Sequence, residues 1–116
     1  MTRKVYYVAH PVSGDVDGNI KRAFAWLRYL RRQDPGSAYQ APWIAALLIG
    51  EDDSDPAQRE RGLLDCEATA AKCDGIVLVG GRVSVGMARE RAAVVAAGGD
   101  VRDLTGMGAE PPRETP

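Results

Sequence analysis

Two short runs, Lys4 to Ala9 (KVYYVA) and Gly75 to Val79 (GIVLV), are apolar at nearly every position and not at alternate ones. A strand of that kind must be buried on both faces. The arrangement that achieves this is a parallel sheet with helices on either side. Each run leads through a loop of glycine, proline or serine into a helical pattern, as the βα half of a parallel unit does.

Between and after the runs, the period of the apolar residues changes. From Asp17 onward Ile20, Ala23, Phe24, Leu27 and Leu30 recur at helical spacing and predict a helix with those residues as its core stripe, stopped by Gln33-Asp34-Pro35-Gly36. On that reading Trp26 and Tyr29 lie off the stripe. Ser37 to Ile49 reads as a short strand near Ala38–Ala41, then a loop or short helix. In the acidic stretch Glu51-Asp52-Asp53-Ser54-Asp55-Pro56, Asp55 suits an N-cap, Pro56 the first helical position and Gln58 a capping box. That helix should run to about Lys72. Gly86 to Ala97 predicts a third helix, closed by Gly98-Gly99, and Asp100 to Leu104 a last strand. The order β-α-(β)-α-β-α-β predicts an α/β fold, a small Rossmann- or flavodoxin-like three-layer sandwich with a parallel sheet of about four to five strands. Residues 1–104 form one domain on this reading, and 105–116, with three prolines and two glycines, a loose tail.

A formal net charge of −1 over 116 residues lacks the basic footprint that a nucleic-acid polymer demands. A mononucleotide remains compatible, since it needs only a local anion site. The longest apolar run, Ile44 to Ile49, is too short to span a bilayer, so no membrane partner is expected. Met1-Thr2-Arg3-Lys4 leads straight into a strand and not into a signal peptide, and with only Cys66 and Cys73 for thiols the expected setting is a reducing cytoplasm. Neither cysteine has a histidine nearby in sequence, so no metal is expected, and no cofactor is called for.

Ligands of parallel sheets sit beyond the carboxyl ends of the strands. Two loops leave those ends: Ala9-His10-Pro11-Val12-Ser13-Gly14-Asp15 and Gly80-Gly81-Arg82-Val83-Ser84-Val85-Gly86. Glycines admit a ligand close to the backbone, and helix N-terminal amides favour an anion. Ser13, Gly14, Ser84 and Gly86 are therefore candidates to converge on one phosphate, with His10 beside them. The same residues also suit plain helix caps and turns. Glu90 is the sharper feature, one turn after Met87 and one turn before Val94 on a mostly apolar stripe. A carboxylate there is costly unless it is paired or used. Tyr7, at the end of the first strand, lies near the same edge.

These residues resemble a known family. Tyr7-Val8-Ala9-His10-Pro11 is similar to the Tyr-Leu-Ala-Gly-Pro opening of the nucleoside 2-deoxyribosyltransferase superfamily. Cys73-Asp74-Gly75-Ile76-Val77-Leu78-Val79, with Ser84-Val85-Gly86-Met87-Ala88-Arg89-Glu90, resembles its second motif, in which a glutamate is the nucleophile. Ser84, where transferases on free nucleosides usually carry Asp, resembles the branch that hydrolyses nucleoside 5′-monophosphates. Residues 4–104 as a whole look like uncharacterised, often phage or actinobacterial, members. The resemblance implies an N-glycosidase acting on a nucleotide or nucleoside. Glu90 would attack C1′, Tyr7 would hold Glu90, and Asp65 or an Asp of the 52–55 loop would protonate the base. His10 stands where the better-known enzymes have glycine, and Cys66 where they have an acid. Ser13 replaces the phosphate-gripping arginine of the monophosphate hydrolases. A binding module that has lost turnover, or a deoxyribosyltransferase, are the alternatives. The resemblance also implies a homodimer, with Trp26, Tyr29 and Trp43 available for an interface.

Overall fold

The computed structural model describes residues 2–50 and 54–113. β1 (Val5–Ala9) and β3 (Gly75–Leu78) pair in parallel at the centre of a four-stranded sheet, with β2 (Ala38–Gln40) outside β1 and β4 (Asp100–Asp103) outside β3. All three pairings are parallel, in the register Tyr7↔Gln40, Tyr7↔Ile76 and Val77↔Arg102. The central strands are buried on both faces, whereas β4 is exposed throughout. Its Asp100, Arg102 and Asp103 place charge on a free sheet edge, which discourages strand addition.

Right-handed crossovers put the helix between β1 and β2 on one face and those leading to β3 and β4 on the other. The first is α1 (Val16–Gln33), and the others are α3 (Pro56–Ala71) and α4 (Val85–Ala96). The result is a three-layer α/β sandwich. Tyr6, Val8, Val77 and Val79 pack with Trp26 and Leu30 of α1. Tyr7, Ala9, Ile76 and Leu78 pack with Ala70, Met87 and Val94, and with Trp43 and Ile44 of the short helix α2 (Pro42–Leu48). At the amino end of the sheet Asp74 Oδ2 accepts from Val5 N at 2.7 Å, at the opposite edge from the His10 and Arg82 loops. Among the described residues, no helix is long and apolar enough to cross a membrane.

The structure departs from the sequence reading at the stripe of α1 and at the two tryptophans. The stripe assigned to α1 includes Phe24 and omits Trp26, yet Phe24 is 49% exposed and Trp26 is fully buried. The helix turns its Ala23–Trp26–Leu30 line to the sheet, and the Trp26 indole donates from Nε1 to Ala109 O at 3.0 Å. The same bond ties down the start of the segment expected to be loose, where Thr105–Met107 form a 3-10 turn. Trp43 is buried too, donating from Nε1 to Val8 O at 2.9 Å just beyond the point where β2 stops pairing. Neither tryptophan is available for an interface.

This inversion is measurable. Trp26→Ala should lower stability by about 3–5 kcal/mol, the usual cost of emptying a large aromatic site. Phe24→Ala should stay within about 0.5 kcal/mol of wild type. Urea denaturation of both variants checks the pair, and similar losses in each would contradict the packing described.

Candidate functional site

Beyond the carboxyl ends of β1 and β3 lies a cleft of about 440 Å³. The β1–α1 loop contributes His10, Val12 and Ser13, and the β3–α4 loop contributes Arg82 to Val85. Trp43 and Leu47 of α2 close one side, α3 forms a wall with Arg59, Leu63 and Cys66, and Gly86, Met87 and Glu90 of α4 line the rest.

Glu90 is 7% exposed and shares the inward face of α4 with Met87 and Val94. The spacing explains this, because residues three and four apart on a helix stack on one face. Its Oε2 accepts a hydrogen bond from Tyr7 Oη. Burial pushes the Glu90 carboxyl up to about 7, with the nearby Glu67 adding to the rise and the Tyr7 hydrogen bond opposing it. Burial and the facing Glu90 hold the Tyr7 phenol well above its ordinary range, so it remains a donor. Burial likewise raises the Cys66 thiol, which lies beside Tyr7 and stays neutral.

The two loops meet over this floor. Ser84 caps α4, its Oγ accepting from Met87 N at 3.2 Å, and Met87 Sδ accepts in return from Ser84 N. That cap uses the hydroxyl oxygen as an acceptor and leaves its hydrogen to donate. Arg82 Nη2 reaches Ser13 O at 3.4 Å and so links the loops. The β1–α1 loop is held from beneath by buried Asn19, whose Nδ2 donates to Val12 O at 2.8 Å and which Arg22 braces through Oδ1 at 2.9 Å. Arg59 and Arg82 are among the residues that line the cleft, and no described carboxylate pairs with either.

His10 is buried, with Nδ1 donating to Pro11 O at 2.7 Å, and Nε2 has no hydrogen-bond partner among the described residues. Burial lowers its pKa, leaving a neutral ring stacked beside Trp43. The ring fits because residue 80 is glycine. A Cβ there would fall 2.8 Å from His10 Nε2 and 2.7 Å from Pro11 Cδ, at a φ of +102° that side chains resist.

Of the residues singled out in the sequence, Glu90, His10, Ser13, Ser84 and Gly86 line the cleft, and Tyr7 lies beneath it on Glu90. Gly14 does not line it; at φ +97° it makes the turn before α1. Asp65 does not line it either. It is exposed, because one residue along a helix turns a side chain by about 100°, and Cys66 takes the inward position. Asp55 is the N-cap of α3, accepting from Ala57 N and Gln58 Nε2, while Asp52 and Asp53 lie outside the described residues. Arg82 and Trp43 carry more of the site than their sequence contexts suggest. Arg82 stands out only as the single cation in a glycine-rich loop, and Trp43 comes from a stretch with no clear period.

The raised Glu90 carboxyl has a thermodynamic consequence. From its ordinary value of 4.5 to about 7, the folded protein keeps a proton that the unfolded chain has released. Stability therefore falls as pH rises through that window, by roughly 3 kcal/mol at most. Glu90→Gln removes the titrating group, so its stability should decline less between about pH 5 and pH 8 and exceed that of wild type at the upper end. Urea midpoints across that range test this, and parallel declines in both proteins would assign the effect to other groups.

No curated protein matches the chain. Residues 4–103, which contain every described strand and every residue named in the cleft, match the model of the Domain of unknown function (DUF7768), and the chain belongs to that family.

Proposed function

We propose that the protein is an N-glycosidase that releases the base from a nucleotide, with Glu90 as the nucleophile. The observation that carries this reading is a buried carboxylate on the floor of a ligand-sized cleft, bonded by Tyr7, with Arg59 and Arg82 among the residues that line the same cleft. A structural carboxylate so placed would be expected to pair with a cation, yet the neighbouring Arg89 is bound to Glu60 and Glu67. With a pKa of about 7, a substantial share of the carboxyl is still ionised and able to attack at neutral pH.

In this reaction an ionised Glu90 oxygen attacks C1′ as the C1′–N bond breaks, and a glycosyl ester forms on the enzyme. Water then cleaves the ester and restores the carboxylate, as in a retaining glycosidase. Tyr7 donates to Oε2, holding the carboxylate so that its other oxygen attacks. The 5′-phosphate would sit at the start of α4, within reach of the Ser84 hydroxyl, Ser13 and Arg82, where helix amides and guanidinium favour an anion. A resemblance to nucleoside 5′-monophosphate hydrolases through Ser84-x-Gly86-x-x-x-Glu90 points the same way. Cys66, standing where that family carries an acid, favours a second reading, a nucleotide-binding module without turnover.

Glu90→Gln should bind nucleotide as wild type does but release base at least about a thousandfold more slowly, roughly 4 kcal/mol of barrier. Chromatography of free base measures the rate and calorimetry the binding. Equal binding with no base from either protein would leave only the binding module. Arg82→Ala should raise KM for a nucleoside 5′-monophosphate about tenfold while leaving that for the unphosphorylated nucleoside unchanged. A comparable rise for both would remove Arg82 from the phosphate site.

A further inference from the structure

We infer, resting on the N-glycosidase reading, that the substrates of this cleft are nucleotides whose base already bears positive charge at the glycosidic linkage: N-ribosyl pyridinium or N7-alkylated purine nucleotides. The geometry behind this is the division of labour on α3. The positions that face the cleft are Gln58, Arg59, Gly62, Leu63 and Cys66, spaced as one helical face with no acid among them. The three acids of that helix are turned elsewhere. Glu60 and Glu67 hold Arg89 at 2.9 and 2.8 Å, and Asp65 is exposed. Among the described residues, the group set beside Tyr7 and Glu90 is therefore a neutral thiol.

That matters because of where the electrons go. A neutral base that leaves C1′ takes the C–N bonding pair and departs as an anion, so it needs a proton from an acid in the transition state. A cationic base takes the same pair onto its charged ring system and departs neutral, with no acid required. Glu90 forms the C1′–O bond, water then cleaves the ester, and the proton left over passes to solvent. The surroundings fit a cationic ring. Glu90 supplies the opposite charge, and Trp43, Met87 and the Cys66 sulfur are polarisable neighbours in the same cleft. Arg82, which would repel such a ring, instead reaches Ser13 O in the loop proposed to hold the phosphate.

The test incubates the full chain with nicotinamide mononucleotide, N7-methylguanosine 5′-monophosphate, and GMP and AMP as neutral counterparts, following free base by chromatography. Rates are expressed relative to each compound's uncatalysed hydrolysis, because a charged base is intrinsically the better leaving group. The acceleration should be at least about a hundredfold greater for a cationic-base nucleotide than for either neutral one. Cys66→Asp, which places an acid beside the leaving base, should raise GMP or AMP turnover about tenfold or more. Equal acceleration of GMP and nicotinamide mononucleotide would overturn the inference while leaving the glycosidase reading intact. Base from none of the four would overturn both. Should Cys66→Asp not fold, the wild-type comparison decides alone.

Discussion

β1 and β3 lie side by side with every residue from Tyr7 to Ala9 and from Gly75 to Val79 buried, in the register Val8↔Val77 and Ala9↔Leu78. The pairing continues past the strand end, where Val79 N donates to Ala9 O at 3.0 Å. Because the strands are parallel and in step, their chains leave the sheet at the same height and on the same edge. The His10–Asp15 loop and the Gly80–Ser84 loop must therefore meet, and the helix that follows the second must start above the first strand. Tyr7 reaches Glu90 across 83 residues of sequence for this reason alone. A slip of one residue would turn Tyr7 to the face covered by α1.

The buried carboxylate is the costly element of this arrangement, and the structure limits the cost without cancelling it. A phenol donates to it, but no guanidinium neutralises it. The preceding residue, Arg89, lies on another face of the same helix and is spent on Glu60 and Glu67, one helical face of α3 two turns long. That ion-pair cluster braces α3 against α4 and keeps the cleft wall in place. It also keeps the strongest nearby cation away from Glu90, so burial prevails and the carboxyl titrates near neutrality.

α3 thus serves two purposes with alternating faces. One face holds Arg89 and the other presents Arg59, Leu63 and Cys66 to the ligand space. An acid on the cleft face would sit beside Glu90 in a poorly solvated site, where like charges repel and one of the two must stay protonated. A thiol avoids that coupling and leaves Glu90 as the acidic group lining the cleft among the described residues.

Much of this was legible in the chain itself. Continuous apolar runs can only be central parallel strands, and turn and cap residues mark the helices that follow, because such patterns express local backbone and solvation requirements. Asp55-Pro56 begins α3 and Ser84 begins α4 for that reason. Glu90, placed between Met87 and Val94, announced a carboxylate on a buried stripe. The rotation of α1 was not legible. Phe24 and Trp26 both fit an amphipathic helix, and the choice of Trp26 for the core depends on the space over Val8 and Val77 and on the carbonyl of Ala109, to which its indole bonds. The choice of Cys66 over Asp65 as the residue facing Glu90 was likewise undetermined, since one position along a helix is about a quarter turn and only the packing of α3 on α4 sets its phase. Sequence alone determined the fold class, the edge where a ligand would sit and the residue that stands out there. Tertiary structure decided which side chains turn inward, because helix rotation is set by contacts between segments far apart in the chain.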